Sequence, residues 1–192
     1  MSKILKSLFL VVSFVWISGF ATFSDRQDRA IETQWNDLET LAKCKPLFVE
    51  AFSHIYQYIP LEILGIQDLN IFLETAFDDD FQEMGVNENF EVITATHKGL
   101  PVAFLTIDKT NYPNEIYLSQ QATQFDYQRN GIGFELVNLA KEHYPETQKF
   151  VVITRIINSG SMAFFQKSGF TYSPYMHPRY NPNKYIGFKI ED

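Results

Sequence analysis

Along the second half of the chain the apolar positions change period repeatedly, from two to about 3.6 and back, and this rhythm predicts alternating strands and helices. Phe90-Glu91-Val92-Ile93-Thr94-Ala95-Thr96 and Pro101-Val102-Ala103-Phe104-Leu105-Thr106-Ile107, joined by His97-Lys98-Gly99-Leu100, read as an antiparallel hairpin. Glu115-Ile116-Tyr117-Leu118-Ser119, bounded by Pro113-Asn114, reads as a further strand. Beyond it Ile132, Leu136, Val137 and Leu139 or Ala140 recur at helical spacing, with Glu135, Asn138, Lys141 and Glu142 on the polar side. Residues 149–157 are a β-branched run suited to a well-buried strand. Asn158 then caps a short helix whose apolar positions are Met162, Phe164 and Phe165, and Gly169 stands where a left-handed C-terminal cap is expected. Ile186, Phe188 and Ile190 alternate with Tyr185, Gly187 and Lys189 in a final strand, after an irregular, proline-containing loop at 175–183.

Upstream, Asn36 and Glu39 have capping-box spacing before Leu38, Leu41, Ala42 and Cys44, which predicts a first helix that Pro46 bends or restarts. A further helix is expected over 66–77. Asp78-Asp79-Asp80 then reads as a solvated loop rather than a cation site, because no spaced second set of ligands follows it.

The stretch with the most chemical content is Gln128-Arg129-Asn130-Gly131-Ile132-Gly133, set between a strand and a helix. A helix leaves its first N–H groups without intrahelical partners, and its dipole favours an anion there. Gly131 and Gly133 allow positive φ and close approach of phosphate oxygens, and Arg129 adds charge. The stretch therefore reads as a pyrophosphate cradle, with a plain tight turn as the alternative. Neither Gly-x-Gly-x-x-Gly nor Gly-Lys-Ser/Thr occurs, which excludes the dinucleotide fingerprint and the P-loop.

The 192 residues, 45% hydrophobic and without repeats or low-complexity linkers, suit a single domain over about 24–192. A net charge of −7 and the lack of a long basic run argue against nucleic acid as a partner. Four scattered histidines and one cysteine argue against a zinc site, so no metal is expected. At the N-terminus, Lys3 and Lys6 precede an apolar run over 8–20, and Gly19-Phe20-Ala21 has the small residues of a cleavage site. Residues 1–21 read as a secretory signal peptide, implying export. An uncleaved anchor with membrane association, or a cytoplasmic chain with an unprocessed N-terminus, are the alternatives.

Gln-Arg-Asn-Gly-Ile-Gly resembles the Gln/Arg-x-x-Gly-x-Gly/Ala acyl-CoA loop of the GNAT superfamily of N-acetyltransferases. Asn158 to Phe170 is similar to that family's Asn-x-x-Ala-x-x-Phe-Tyr-x-Lys-x-Gly-Phe pattern, in the expected order, and the resemblance runs over about 91–192. It implies an α/β (α+β) fold, a mixed and mostly antiparallel sheet flanked by helices, and transfer of an acetyl group from acetyl-CoA by direct attack of an amine. The acceptor amine belongs to a small molecule, a peptide or a protein. By resemblance, Thr123, Gln128, Arg129, Asn130, Gly131, Ile132, Gly133, Asn158 and Phe165 hold the acyl donor, and main-chain groups of Gln121-Ala122-Thr123 bind pantetheine and the thioester carbonyl. Glu115 is the candidate base by resemblance and a strand-end carboxylate otherwise. Phe165 departs from the pattern: it stands where many members have a proton-donating tyrosine, for which Tyr172 and Tyr175 are nearby substitutes in sequence. Thr123-Gln124-Phe125 replaces the usual Val-x-Pro. These departures leave a second reading open, a catalytically degenerate domain that binds acyl-CoA or a partner.

Overall fold

The computed structural model describes residues 30–109, 115–174 and 180–191, and within them seven strands form one sheet. In chain order the elements are β1 (Ile31–Trp35), α1 (Leu38–Lys43), α2 (Lys45–Tyr56), α3 (Leu61–Leu64), α4 (Leu69–Val86), β2 (Phe90–His97), β3 (Leu100–Asp108), β4 (Glu115–Thr123), α5 (Ile132–His143), β5 (Lys149–Arg155), α6 (Ser159–Lys167), β6 (Thr171–Ser173) and β7 (Tyr185–Glu191). The spatial order is β1-β2-β3-β4-β5-β7-β6. Every adjacent pair is antiparallel except β4 and β5. The mixed, mostly antiparallel sheet expected from the sequence is therefore present.

Both faces of the sheet are covered. Ile132, Leu136, Val137 and Ala140 of α5 and Phe165 of α6 pack with Ile93, Leu105, Ile116, Leu118, Phe150 and Val152 of the strands. On the other face Leu41, Phe48, Leu73 and Phe77, from α1, α2 and α4, pack with Val92, Phe104 and Ala122. In β2 and β3 neighbouring residues, Val92 and Ile93, Phe104 and Leu105, point to opposite sets, as strands buried on both sides require.

Several expectations are corrected. Asp37, not Asn36, caps α1: its carboxylate accepts from the N–H of Thr40 at 2.9 Å. Asn36 instead has φ +56° and extends the pairing of β1 with β2, donating to the carbonyl of Val92 at 2.8 Å and accepting from its N–H at 3.1 Å. Of the two outcomes expected at Pro46, a bend or a restart, the structure has the restart: Pro46 lies in the first turn of a separate helix, α2, where its missing N–H costs nothing. Asp78-Asp79-Asp80 is helix rather than loop, because the apolar stripe of Leu73, Phe77, Phe81 and Met84 carries α4 past it, with both Asp78 oxygens 2.8 Å from Lys45 Nζ. The strand predicted over 149–157 stops at Arg155, and β1 has no counterpart among the strands expected from the sequence. The hairpin turn is tighter than expected, with Lys98 (φ +52°) and Gly99 (φ +75°) as a two-residue connection of the kind favoured in hairpins. The N-terminal signal or anchor segment, Pro113-Asn114 and Tyr175 lie outside the described residues. Among the described residues no helix is long and apolar enough to cross a membrane.

Candidate active site

The strands β4 and β5 are partners only over Glu115↔Lys149, Ile116↔Phe150 and Tyr117↔Val151. From Leu118 onward β4 pairs with β3 alone, and from Val152 onward β5 pairs with β7 alone. The two parallel strands thus part at Tyr117, and the β4 edge from Leu118 to Thr123 is left without a strand partner. At about 3.3 Å per residue that open edge is roughly 17 Å long.

A bulge accompanies the parting. Thr106 pairs with Gln120 and Ile107 with Leu118, which leaves Ser119 as the extra residue on β4. Bulges bend a strand and increase its twist. The fully buried Thr106 braces this one through its hydroxyl oxygen, which lies 2.7 Å from Ser119 Oγ, accepts from the N–H of Gln120 at 2.9 Å and is 3.3 Å from the Gln120 carbonyl.

At the open end of the slot stands the predicted cradle. A short 3₁₀ turn, Phe125–Tyr127, leads into it, and Tyr127 is tied to β2 by a 2.6 Å hydrogen bond between its hydroxyl and His97 Nδ1. Gln128 Nε2 donates to the carbonyl of Thr123 at 3.0 Å, and Asn130 Nδ2 donates to the carbonyls of Tyr127 at 3.2 Å and Gln128 at 3.3 Å. These bonds fix the loop while leaving Gln128, Arg129, Asn130 and Gly131 exposed. Arg129 (φ +63°) and Gly131 (φ +87°) are both left-handed. Gly131 is the N-cap of α5 and brings no capping side chain, so the first-turn N–H groups face outward uncapped, as an anion site needs.

The two glycines do different work, which corrects the expectation that both supply positive φ. Gly133 is helical, and a Cβ there would stand 2.9 Å from Gln121 Nε2 and 3.3 Å from the Phe164 ring. Its smallness lets α5 approach β4 and α6, and Gln121 Nε2 donates to its carbonyl at 2.8 Å. Around Gly131 a Cβ would meet nothing within 4 Å, so space for a ligand lies there.

The remaining sequence candidates are placed as follows. Thr123 ends β4 beside the cradle, and Ile132 is buried under the first turn of α5. Asn158 is buried and caps α6, its Oδ1 accepting from Ser161 N–H at 3.0 Å. Phe165 is packed among Phe164, Phe170 and Phe188. Glu115 starts β4 two positions before the parting. Its Oε2 accepts from Lys149 Nζ at 2.6 Å, whereas its Oε1 is buried without a hydrogen-bond partner.

Sequence reasoning missed a cleft of about 900 Å³ between α4, β4 and β7, lined by Phe72, Asp79, Asp80, Gln120, Tyr180 and Tyr185 among others. The Tyr117 hydroxyl, on the same side of the sheet, donates to that of Tyr180 at 3.1 Å. Burial pushes the Tyr117 phenol well above the usual tyrosine range, helped by Tyr180 and the carboxylates of Asp80 and Asp108, so it stays protonated. These residues come from three distant segments, 72–80, 117–120 and 180–185, and no local pattern announces them. Among the described residues no group of His, Cys, Asp and Glu could hold a metal ion.

Solved structures with this fold include three acetyltransferases. The PaiA N-acetyltransferase of Thermoplasma acidophilum, in complex with coenzyme A, is 14% identical, with a TM-score of 0.69 over 85% of this chain and 99% of that one. An acetyltransferase from Thermus thermophilus is 15% identical, with a TM-score of 0.64 over 85% and 98%. The ribosomal-protein-S18-alanine N-acetyltransferase of Escherichia coli is 15% identical, with a TM-score of 0.59 over 84% and 94%. At such identities the likeness establishes the fold alone. No curated protein matches the chain. The model of the acetyltransferase (GNAT) family matches residues 54–170, more than half of the chain and including the cradle, the parted strands and the capped helix α6. The chain belongs to the GNAT acetyltransferase family.

Proposed function

We propose that this acetyl-CoA-dependent N-acetyltransferase binds the pyrophosphate of its donor on the first turn of α5 and lays the pantetheine arm along the open edge of β4. The amine acceptor then enters through the α4–β4–β7 cleft. The observation that carries this reading is the coincidence of an uncapped helix N-terminus with the mouth of the slot between β4 and β5. An arm that runs back from the cradle along β4 reaches the end of the slot near Tyr117, which puts the thioester beside the cleft.

There the amine nitrogen attacks the thioester carbon, while main-chain groups of Gln121, Ala122 and Thr123 hold the pantetheine amides along the open edge. The incoming ammonium first gives up a proton to Glu115, whose unpartnered Oε1 accepts it through water. Collapse of the tetrahedral intermediate breaks the C–S bond, the sulfur takes a proton from Tyr180, and the resulting phenolate takes the second proton that the nitrogen sheds as it becomes an amide. Tyr117, donating to the Tyr180 oxygen, stabilises the phenolate left behind and so stands in for the hydroxyl that Phe165 lacks. Asp79 and Asp80 in the cleft wall favour a cationic acceptor.

The test is coenzyme A thiol release from acetyl-CoA across a panel of primary amines. Acceptor-dependent release supports the reading. Saturable acetyl-CoA binding with no release by any amine would favour the degenerate binding domain instead.

A further inference from the structure

Arg155 is the last residue of β5, on the side of the slot opposite β4, and only 8% of it is exposed. A guanidinium this deeply buried normally faces a carboxylate, because an uncompensated buried charge is costly. Among the described residues none lies within ion-pair distance. Its Nη1 donates to the carbonyl of Leu64, the last residue of α3, at 3.0 Å. Its guanidinium carbon lies 5.2 Å from the ring centre of Tyr185, 5.3 Å from that of Phe72 and 5.7 Å from that of Tyr56. The rings cover its π faces and help to hold the charge. They do not satisfy the fork: a guanidinium has five N–H donors in one plane, and those other than the donor to Leu64 bond to nothing among the described residues.

The position of this cation gives it a use. Phe72 and Tyr185, two of the three rings around it, also line the acceptor cleft, together with Asp79, Asp80 and Gln120. The cleft therefore has carboxylates on one wall and a caged guanidinium behind another. That arrangement complements a molecule with both charges, an ammonium facing the acidic wall and the thioester, and a carboxylate facing Arg155. Arg155 is not itself a lining residue of the cleft, so a carboxylate that reaches past the edges of Phe72 and Tyr185 would engage the donors not taken by Leu64 as a charge-assisted, bidentate pair.

We propose that the acceptor is an amine that also bears a carboxylate, and that Arg155 binds that carboxylate. This rests on the acceptor entering by the α4–β4–β7 cleft. A purely structural Arg155, tying α2, α3, α4 and β7 to the end of β5, would contribute stability and no preference among acceptors.

The test uses the full protein and a series of linear amino acids, from glycine to 6-aminohexanoate, each beside its carboxamide. A charge-assisted hydrogen bond of about 1.5–3 kcal/mol converts to a preference of roughly 10- to 160-fold in kcat/KM for the acid over the amide. The length at which the preference peaks reports the distance between the thioester and Arg155. In Arg155→Lys, which keeps the charge but not the fork, the preference should shrink while acetyl-CoA binding persists. If that variant does not fold, the wild-type comparison decides alone. Carboxamides accepted as well as the acids, or no member of the series acetylated by protein that binds acetyl-CoA, would overturn the proposal. Failure of acetyl-CoA to bind would instead strike the donor site itself.

Discussion

Replacing Thr106 by valine tests whether the bulge holds the slot open. Valine preserves shape and burial but removes the hydroxyl that contacts Ser119 Oγ, the Gln120 N–H and the Gln120 carbonyl. The N–H of Gln120 then loses its acceptor at a position where the β3–β4 ladder is already irregular. An orphaned donor of this kind costs about 1–3 kcal/mol, and loss of the Ser119 contact brings the expected destabilisation to roughly 2–3 kcal/mol. For a domain of this size each kcal/mol lowers Tm by about 2–4 °C, so a fall of roughly 4–12 °C is expected in a thermal melt. Relaxation of the bulge should also let β4 straighten toward β5, weakening acetyl-CoA about tenfold or more, since the arm needs the open edge. Thr106→Ser keeps the hydroxyl and loses only a buried methyl, about 1 kcal/mol, and should retain donor affinity. The reasoning fails if valine leaves both Tm and acetyl-CoA affinity unchanged, or if serine is as damaging as valine.

Glu91 provides a pH-dependent prediction. Burial alone would raise its pKa, but the bonds from Lys109 and from the Tyr144 hydroxyl, the latter at 2.6 Å, outweigh burial and hold it below the ordinary value of 4.5. A depressed folded-state pKa contributes stability that is complete above the unfolded value and is lost as pH falls through the folded one. The wild-type Tm should therefore drop more steeply below about pH 4.5 than that of Glu91→Gln, and parallel slopes in melts across that range would count against the network. Glu115→Gln and Tyr180→Phe should each lower kcat by about 10²-fold with little change in KM for acetyl-CoA. An unchanged kcat in either variant removes that residue from the proton path. For Glu115, a loss of Tm alone would leave the Lys149 pair a structural one.

The strand–cradle–helix unit was legible because its signals are local. The glycine at 131, the spacing of Ile132, Leu136 and Ala140 and the cap at Asn158 each lie within one or two turns of what they specify. The parting of β4 and β5 follows from the family resemblance but from no local pattern, because the bulge at Ser119 depends on a hydroxyl thirteen residues away on another strand. Asp78-Asp79-Asp80 resembles a loop in isolation, and only the packing of Phe77, Phe81 and Met84 on the opposite side makes it helix. At the start of α1, Asn36 and Asp37 are both good caps by type. The choice between them is made by β2, whose Val92 occupies the Asn36 side chain. Arg155 closes a β-branched run and reads as a strand residue, since its cage of Tyr56, Phe72 and Tyr185 is assembled from three other elements.

The most direct measurement is calorimetric titration of acetyl-CoA into the wild-type protein and into Gly131→Asp. Aspartate tolerates left-handed backbone better than most residues, and the space around Gly131 is open, so the variant should fold while placing a carboxylate where the pyrophosphate is expected. The account predicts saturable 1:1 binding by the wild type, weakened by about 10²-fold or abolished in the variant. A folded wild type that does not bind acetyl-CoA, or a variant that binds it equally well, would contradict the assignment of the α5 N-terminus as the donor site.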